Sequence, residues 1–165
     1  MINRLAPLLV AALLLLPATT AWAKPLKVYI LAGQSNMQGH AHVSTIRHLA
    51  MSPESKPMYD DMIKNGKPVV LDDVYIVQFE EKRGGEPVKR GGKLTVNYGA
   101  SNGEKIGPEF TFGIYMHQYL EEPFLIIKTA WGGKSLNTDF RPPSAGLYTP
   151  SKGVNMSDEQ LQKRQ

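Results

Sequence analysis

The sequence has no cysteine. That removes disulfides, a cysteine-ligated zinc site, a thiol nucleophile and a lipoprotein anchor in one step. Long apolar runs are also missing. The most extended, Leu5 to Leu16, is well short of the roughly twenty residues that span a bilayer as a helix. Neither sign of charge dominates: the formal net charge is +4, and +3 without Arg4. A balance this mild does not point to nucleic acid. Nor do the aromatics form the closely interleaved basic and aromatic pattern of a base-stacking surface.

The N-terminus has its own pattern. Met1 to Arg4 carry one positive charge, Leu5 to Leu16 are apolar, and Ala21-Trp22-Ala23 has small residues at the spacing signal peptidase requires. Residues 1–23 are expected to be a secretory signal cleaved after Ala23, leaving 24–165 as one domain. The expected location is secreted or periplasmic, with no stable membrane association after cleavage.

Three segments read as strands. Leu26 to Ala32 is rich in aliphatic and β-branched residues and runs into Gly33, so a buried strand is expected. Asp73 to Phe79 is the second, and Phe124 to Ala130 the third. A short helix is expected over Met58 to Lys64, and a short strand over Leu94 to Tyr98. Gly107-Pro108-Glu109 opens a longer helix, because Pro fits the first turn and an acid fits the positive end of the helix dipole. Phe112, Tyr115, Met116, Tyr119 and Leu120 recur at helical spacing and are expected to pack on the core. Strand, helix and strand in this order predict a right-handed crossover and a mostly parallel sheet.

Two smaller features remain. Lys82-Arg83-Gly84-Gly85 is echoed by Lys89-Arg90-Gly91-Gly92. A solvated hairpin accounts for this better than a polyanion-binding patch, since only Tyr98 lies near for base stacking. Ser157-Asp158-Glu159-Gln160 has the form of a capping box, so a helix should start there. Its closeness to Gln165 leads to the expectation that the sequence is the N-terminal portion of a longer, C-terminally truncated domain.

Ligands in open parallel sheets sit outside the carboxyl ends of the strands. Two such ends are polar and glycine-rich here: Gly33-Gln34-Ser35-Asn36-Met37-Gln38-Gly39, and Trp131-Gly132-Gly133-Lys134-Ser135. Phosphate binding fails on spacing. A P-loop ending at Gly133-Lys134-Ser135 needs glycine where Lys128 stands, and Gly-x-Gly-x-x-Gly needs glycine at Ser35. Acyl transfer remains. A serine just past a strand end can attack a carbonyl while its own N–H helps hold the oxyanion. The loop is not a Gly-x-Ser-x-Gly elbow, because Met37 takes the last position. From the residues alone, Ser35 is either a nucleophile or a helix N-cap.

The segment Gly33-Gln34-Ser35-Asn36-Met37-Gln38-Gly39 resembles the first block of the SGNH hydrolase superfamily, in the variant of the sialate O-acetylesterase-like carbohydrate esterases. Gly107-Pro108-Glu109 with Phe112-Gly113 resembles the second block, and Lys128 to Leu136 the third. The blocks come in order over about residues 26 to 140. The resemblance implies an α/β fold, a flavodoxin-like three-layer α/β/α sandwich. It implies a serine esterase that removes O-acetyl groups from a sugar without metal or cofactor. Ser35 would be the nucleophile. Its N–H and that of Gly107 would line the oxyanion hole. Gln34 or Asn36 would brace the first loop, and Trp131, Gly132 and Gly133 would form part of the site wall. The implied partner is an acetylated carbohydrate, not nucleic acid.

The sequence departs from the family in lacking a later Gln-Gly block and an Asp-x-x-His block, which supply an oxyanion donor and the base. His40, His42, His48 and His117 all lack an aspartate at that spacing. His40 and His42 lie close to Ser35 in sequence, and His117 falls within the expected helix. Without a base, a serine hydroxyl is a weak nucleophile. A non-catalytic carbohydrate-binding remnant of the same fold is therefore the alternative reading. A surface protein binding polyanions through the basic glycine-rich loop is a third.

Overall fold

The computed structural model describes residues 24–80, 88–100, 104–150 and 153–162. The leader at 1–23 and the first copy of the echo, Lys82 to Gly85, lie outside the described residues. Among the described residues no helix is long and apolar enough to cross a membrane.

The chain forms an α/β fold on a mixed four-stranded sheet. β1 (Lys27–Gly33) pairs in parallel with β8 (Phe124–Ala130), β8 pairs in parallel with β5 (Leu71–Glu80), and β6 (Val88–Leu94) closes the far edge antiparallel to β5. Smaller elements surround this sheet: α1 (Ser35–Gln38), β2 (Ala41–His42), a 3-10 helix over Val43–Met51, α2 (Lys56–Met62), and the β3 (Ile63–Lys64) and β4 (Lys67–Pro68) hairpin. They continue with β7 (Lys105–Ile106), α3 (Pro108–Leu120) and the terminal α4 (Asp158–Gln162). The short helix sits two residues earlier than expected, because Ile63 and Lys64 pair with Pro68 and Lys67 instead of continuing it.

The crossover from β5 through α3 to β8 has the expected order, and both strands run parallel. Gly107 caps α3 and Pro108 occupies its first turn. Phe124, Ile126, Lys128 and Ala130 point to the α3 side, alternating with half-buried residues as strand geometry requires. Val74, Ile76, Leu94, Phe124 and Ile126 form the main core, with Tyr29, Leu31, Phe112, Met116 and Leu120 packed on it. A second cluster joins Phe110 and Ile114 of α3 to Ile46, Met62 and Val96.

Three expectations change here. β1 is an edge strand and not a buried one: Val28 is 48% exposed and Ile30 68%, while Tyr29 and Leu31 face the core. Helical cover lies on one side of the sheet among the described residues, so Val28 and Ile30 meet solvent. The second change concerns α3. Phe112, Met116 and Leu120 pack inward as expected, but Tyr115 and Tyr119 are exposed. Phe110 and Ile114 are buried in their place, because α3 lies between the sheet and the 43–62 region. A helix covered on two sides has no single apolar stripe to read. Third, the strand expected over Leu94 to Tyr98 lies earlier: the second echo copy, Lys89 to Gly92, is itself inside β6 and pairs with β5 as a hairpin arm.

The C-terminal capping box forms. The Ser157 N–H donates to the Gln160 side chain, and the Gln160 N–H donates to the Ser157 hydroxyl, at 3.0 and 3.2 Å.

Candidate active site

The two glycine-rich loops are neighbours because their strands are. The parallel register pairs Gly33 with Ala130, so β1 and β8 end side by side. The Trp131 N–H then donates to the Gly33 carbonyl at 3.3 Å. Ser35 is the first residue of α1 and is half-buried, while Gln34 and Asn36 are exposed. Gln34, not Ser35, occupies the cap position, and its side chain makes no capping bond. The helix N-cap reading of Ser35 therefore falls.

The second block is brought against the first through glycine. Gly39 ends the serine turn with φ +82, a conformation that disfavours a side chain. A methyl group there would lie 2.1 Å from the Cα of Gly107. The Ala100 N–H also donates to the Gly39 carbonyl at 2.7 Å. The Gly107 N–H donates to Oε1 of Glu109 at 2.9 Å. In this arrangement the donor that the resemblance gives to the oxyanion is held by a carboxylate.

Beneath these loops lies a buried ion pair. Lys128 Nζ donates to Glu109 Oε2 at 2.5 Å, to the Tyr98 carbonyl at 2.6 Å and to the Gln38 carbonyl at 2.9 Å. Both side chains are fully buried. Burial pushes the Glu109 carboxyl up and the Lys128 ammonium down from their ordinary ranges, and their mutual attraction works against both shifts. Three acceptors for three ammonium N–H groups leave the cation satisfied.

From the third block, Lys134, Ser135 and Leu136 line a cleft, and Trp131, Gly132 and Gly133 are not among its lining residues. Trp131 stacks on Phe140 with ring centroids 5.5 Å apart and an interplanar angle of 24°. The indole N–H of Trp131 is buried without an acceptor among the described residues. Gly132 and Gly133 are exposed, and Gly132 approaches the Gln38 side chain. The loop that follows is self-braced. Asp139 accepts from the Ser135 N–H at 2.9 Å, which is the main reason its carboxyl lies below the ordinary range, and it also pairs with Lys134. A cleft of about 530 Å³ opens between the strand ends, with Gly33 and Gln34 on one side and Lys134, Ser135, Asn137 and Phe140 on the other.

Three of the four histidines, all but His40, bond groups other than Ser35. The His42 ring bonds Ser44 at 2.8 Å and Glu104 at 3.2 Å. His48 contacts Met51. His117 pairs with Asp73 at 2.8 Å.

The comparison with family models matches residues 25–163 to the carbohydrate esterases described as sialic acid-specific acetylesterases. The chain belongs to that family. It is a hydrolase by family, and the family implies an acetylated carbohydrate as substrate. The search of curated proteins gave no match. Within the family match, all three loop blocks converge on one end of the sheet, with the Lys128–Glu109 pair under their junction. Sequence reading missed that pair. A lysine at an inward position of the otherwise apolar β8 was the available clue, because a buried ammonium requires a partner.

Proposed function

We propose that this protein is an exported carbohydrate O-acetylesterase that works through Ser35. The observation carrying the reading is the position of Ser35 at the carboxyl end of β1, next to Gln34, which lines the cleft, and two residues past Gly33, whose carbonyl takes the Trp131 N–H. The Ser35 oxygen attacks the acetyl carbonyl carbon as its proton passes to a base. The intermediate collapses by breaking the bond to the sugar oxygen, which takes up that proton to become a hydroxyl, and water then hydrolyses the acetyl-serine to acetate and free Ser35. The Ser35 N–H stabilises the oxyanion, while the Gly107 N–H stays bonded to Glu109 and holds its turn beside the site. Gln34 and Asn36 flank the nucleophile, while Trp131, Gly132 and Gly133 wall the sugar site.

We read the architecture as the family's three-layer sandwich. The parallel β1–β8 and β5–β8 pairs support it. Export is read from residues 1–23. N-terminal sequencing of protein recovered outside the cytoplasm should begin at Lys24, and an uncut Met1 terminus would remove that part.

The sequence holds no Asp-x-x-His, so slow turnover is expected from this chain. The rate of aryl acetate hydrolysis above that of imidazole alone should rise with added imidazole, an external base, and be abolished by Ser35→Ala. A Ser35→Ala protein as fast as wild type would sink the proposal. The second reading, a glycan-binding remnant, rests on the same missing base. It would be favoured by glycan binding with no Ser35-dependent acetate release in imidazole.

A further inference from the structure

The Lys128–Glu109 pair is not explained by stability. Removing two charges from water costs several kcal/mol per ion, and well-packed apolar residues often serve equally well or better in such a place. What distinguishes this pair is what it touches. Lys128 projects from β8 and holds the Gln38 carbonyl, which closes the four-residue helix that Ser35 begins. The same ammonium holds the Tyr98 carbonyl, two residues before Ala100, whose N–H donates to Gly39. Glu109 binds that ammonium through one oxygen and the Gly107 N–H through the other. A methyl group on Gly107 would meet Glu109 Oε2 at 2.5 Å and Lys128 Nζ at 3.0 Å, so the backbone rests directly on the pair.

Four pieces of backbone far apart in sequence thus share one rigid node: β8, the serine turn, the Tyr98 segment and the Gly107 turn. A buried ammonium with three fixed acceptors resists displacement, because any lost bond leaves charge or a carbonyl unpaired in a dry site. The distance between the Ser35 turn and the Gly107 turn follows from it.

We propose that Lys128 and Glu109 are positioning residues for the esterase site, fixing the Ser35 turn against the Gly107 turn without touching substrate. The inference rests on the Ser35 esterase reading. Its kinetic signature is a loss in kcat with KM held, because misplacing a reacting group by about 1 Å costs on the order of a hundredfold in rate.

The test has two arms. In the wild-type protein, NMR should detect a through-hydrogen-bond coupling between the Gly107 amide and the Glu109 side-chain carboxyl carbon. Its absence would overturn the proposal, and this arm needs no variant to fold. In the Glu109→Gln/Lys128→Met double variant, which replaces the charges with groups of similar size, imidazole-supported aryl acetate hydrolysis should lose about a hundredfold in kcat with KM little changed. Exchange of the Gly39 amide, which donates to the Ser35 carbonyl at 3.0 Å, should quicken by about tenfold or more. A folded double variant with unchanged kcat and unchanged Gly39 exchange removes the positioning role while Ser35→Ala still abolishes activity. A Ser35→Ala protein that keeps the wild-type rate removes the esterase reading instead.

Discussion

Gly39 and Gly107 meet backbone to backbone: a methyl group built on Gly39 would lie 2.1 Å from the Cα of Gly107. This is the point where the serine turn meets the start of α3. Gly39→Ala therefore combines a steric clash with a backbone at φ +82 that alanine resists. It should destabilise the protein by about 1–3 kcal/mol or more in urea unfolding. An alanine variant as stable as wild type would mean that the two turns do not touch.

Lys128→Met alone should be far more damaging than the paired replacement. It leaves the Glu109 carboxylate buried with its cation gone, at a cost of about 3–5 kcal/mol. That is a large share of the roughly 5–15 kcal/mol that holds a domain together. Chemical denaturation of the single and double variants gives the comparison. Equal losses in both would show that the charge on Glu109 is not the cause.

Asp139 gives a pH dependence with a definite sign. The Ser135 N–H beside it is the largest of the causes that lower its pKa from the ordinary 3.8. A depressed acid adds stability that is fully present above the unfolded value and fades as pH falls through the folded one. The 134–140 loop should therefore hold at neutral pH and loosen only as acid is added below about 3.8. Trp131, stacked on Phe140 and the one tryptophan of residues 24–165, reports this by fluorescence. Asp139→Asn should already be loosened at neutral pH and lose the acid step. A persisting step would assign it to another group.

The two sides of the sheet should respond differently to substitution. Ile126 is fully buried, and Ile126→Ala should cost about 2–5 kcal/mol. Ile30 is 68% exposed, and Ile30→Thr should change stability by no more than about 0.5 kcal/mol. Thermal melts of both variants decide the matter. A large loss at Ile30 would mean that its side of the sheet is covered.

Much of this fold is legible locally. Phe124 to Ala130 is a strand at the expected residues, since a short β-branched run between Pro123 and a glycine pair has few alternatives. Gly107-Pro108 starts a helix because proline suits that position, and Ser157 with Gln160 forms its capping box from groups three residues apart. The three blocks that carry the family resemblance were equally readable, because a loop motif is a short run of residues.

What sequence reading misplaced depends on neighbours distant in the chain. Leu26 to Ala32 looks buried, but whether an apolar strand is covered depends on what packs over it, and β1 lies at the sheet edge. Tyr115 and Tyr119 keep helical spacing yet face outward, because α3 is gripped on two other sides. Glu109 was expected to complement the helix dipole; it does stand in the first turn, but its carboxylate is turned into the Lys128 node.

The sequence by itself therefore determined the strand at Phe124–Ala130, the start of α3 and the serine loop motif, because each is written in residues close enough to interact directly. The tertiary structure decided which strand is an edge, how the Ser35, Gly107 and Trp131 loops meet, and that Lys128 and Glu109 lie buried between them. Those outcomes depend on groups 19 to 98 positions apart along the chain. Their free energies arise only when folding removes the same groups from water together.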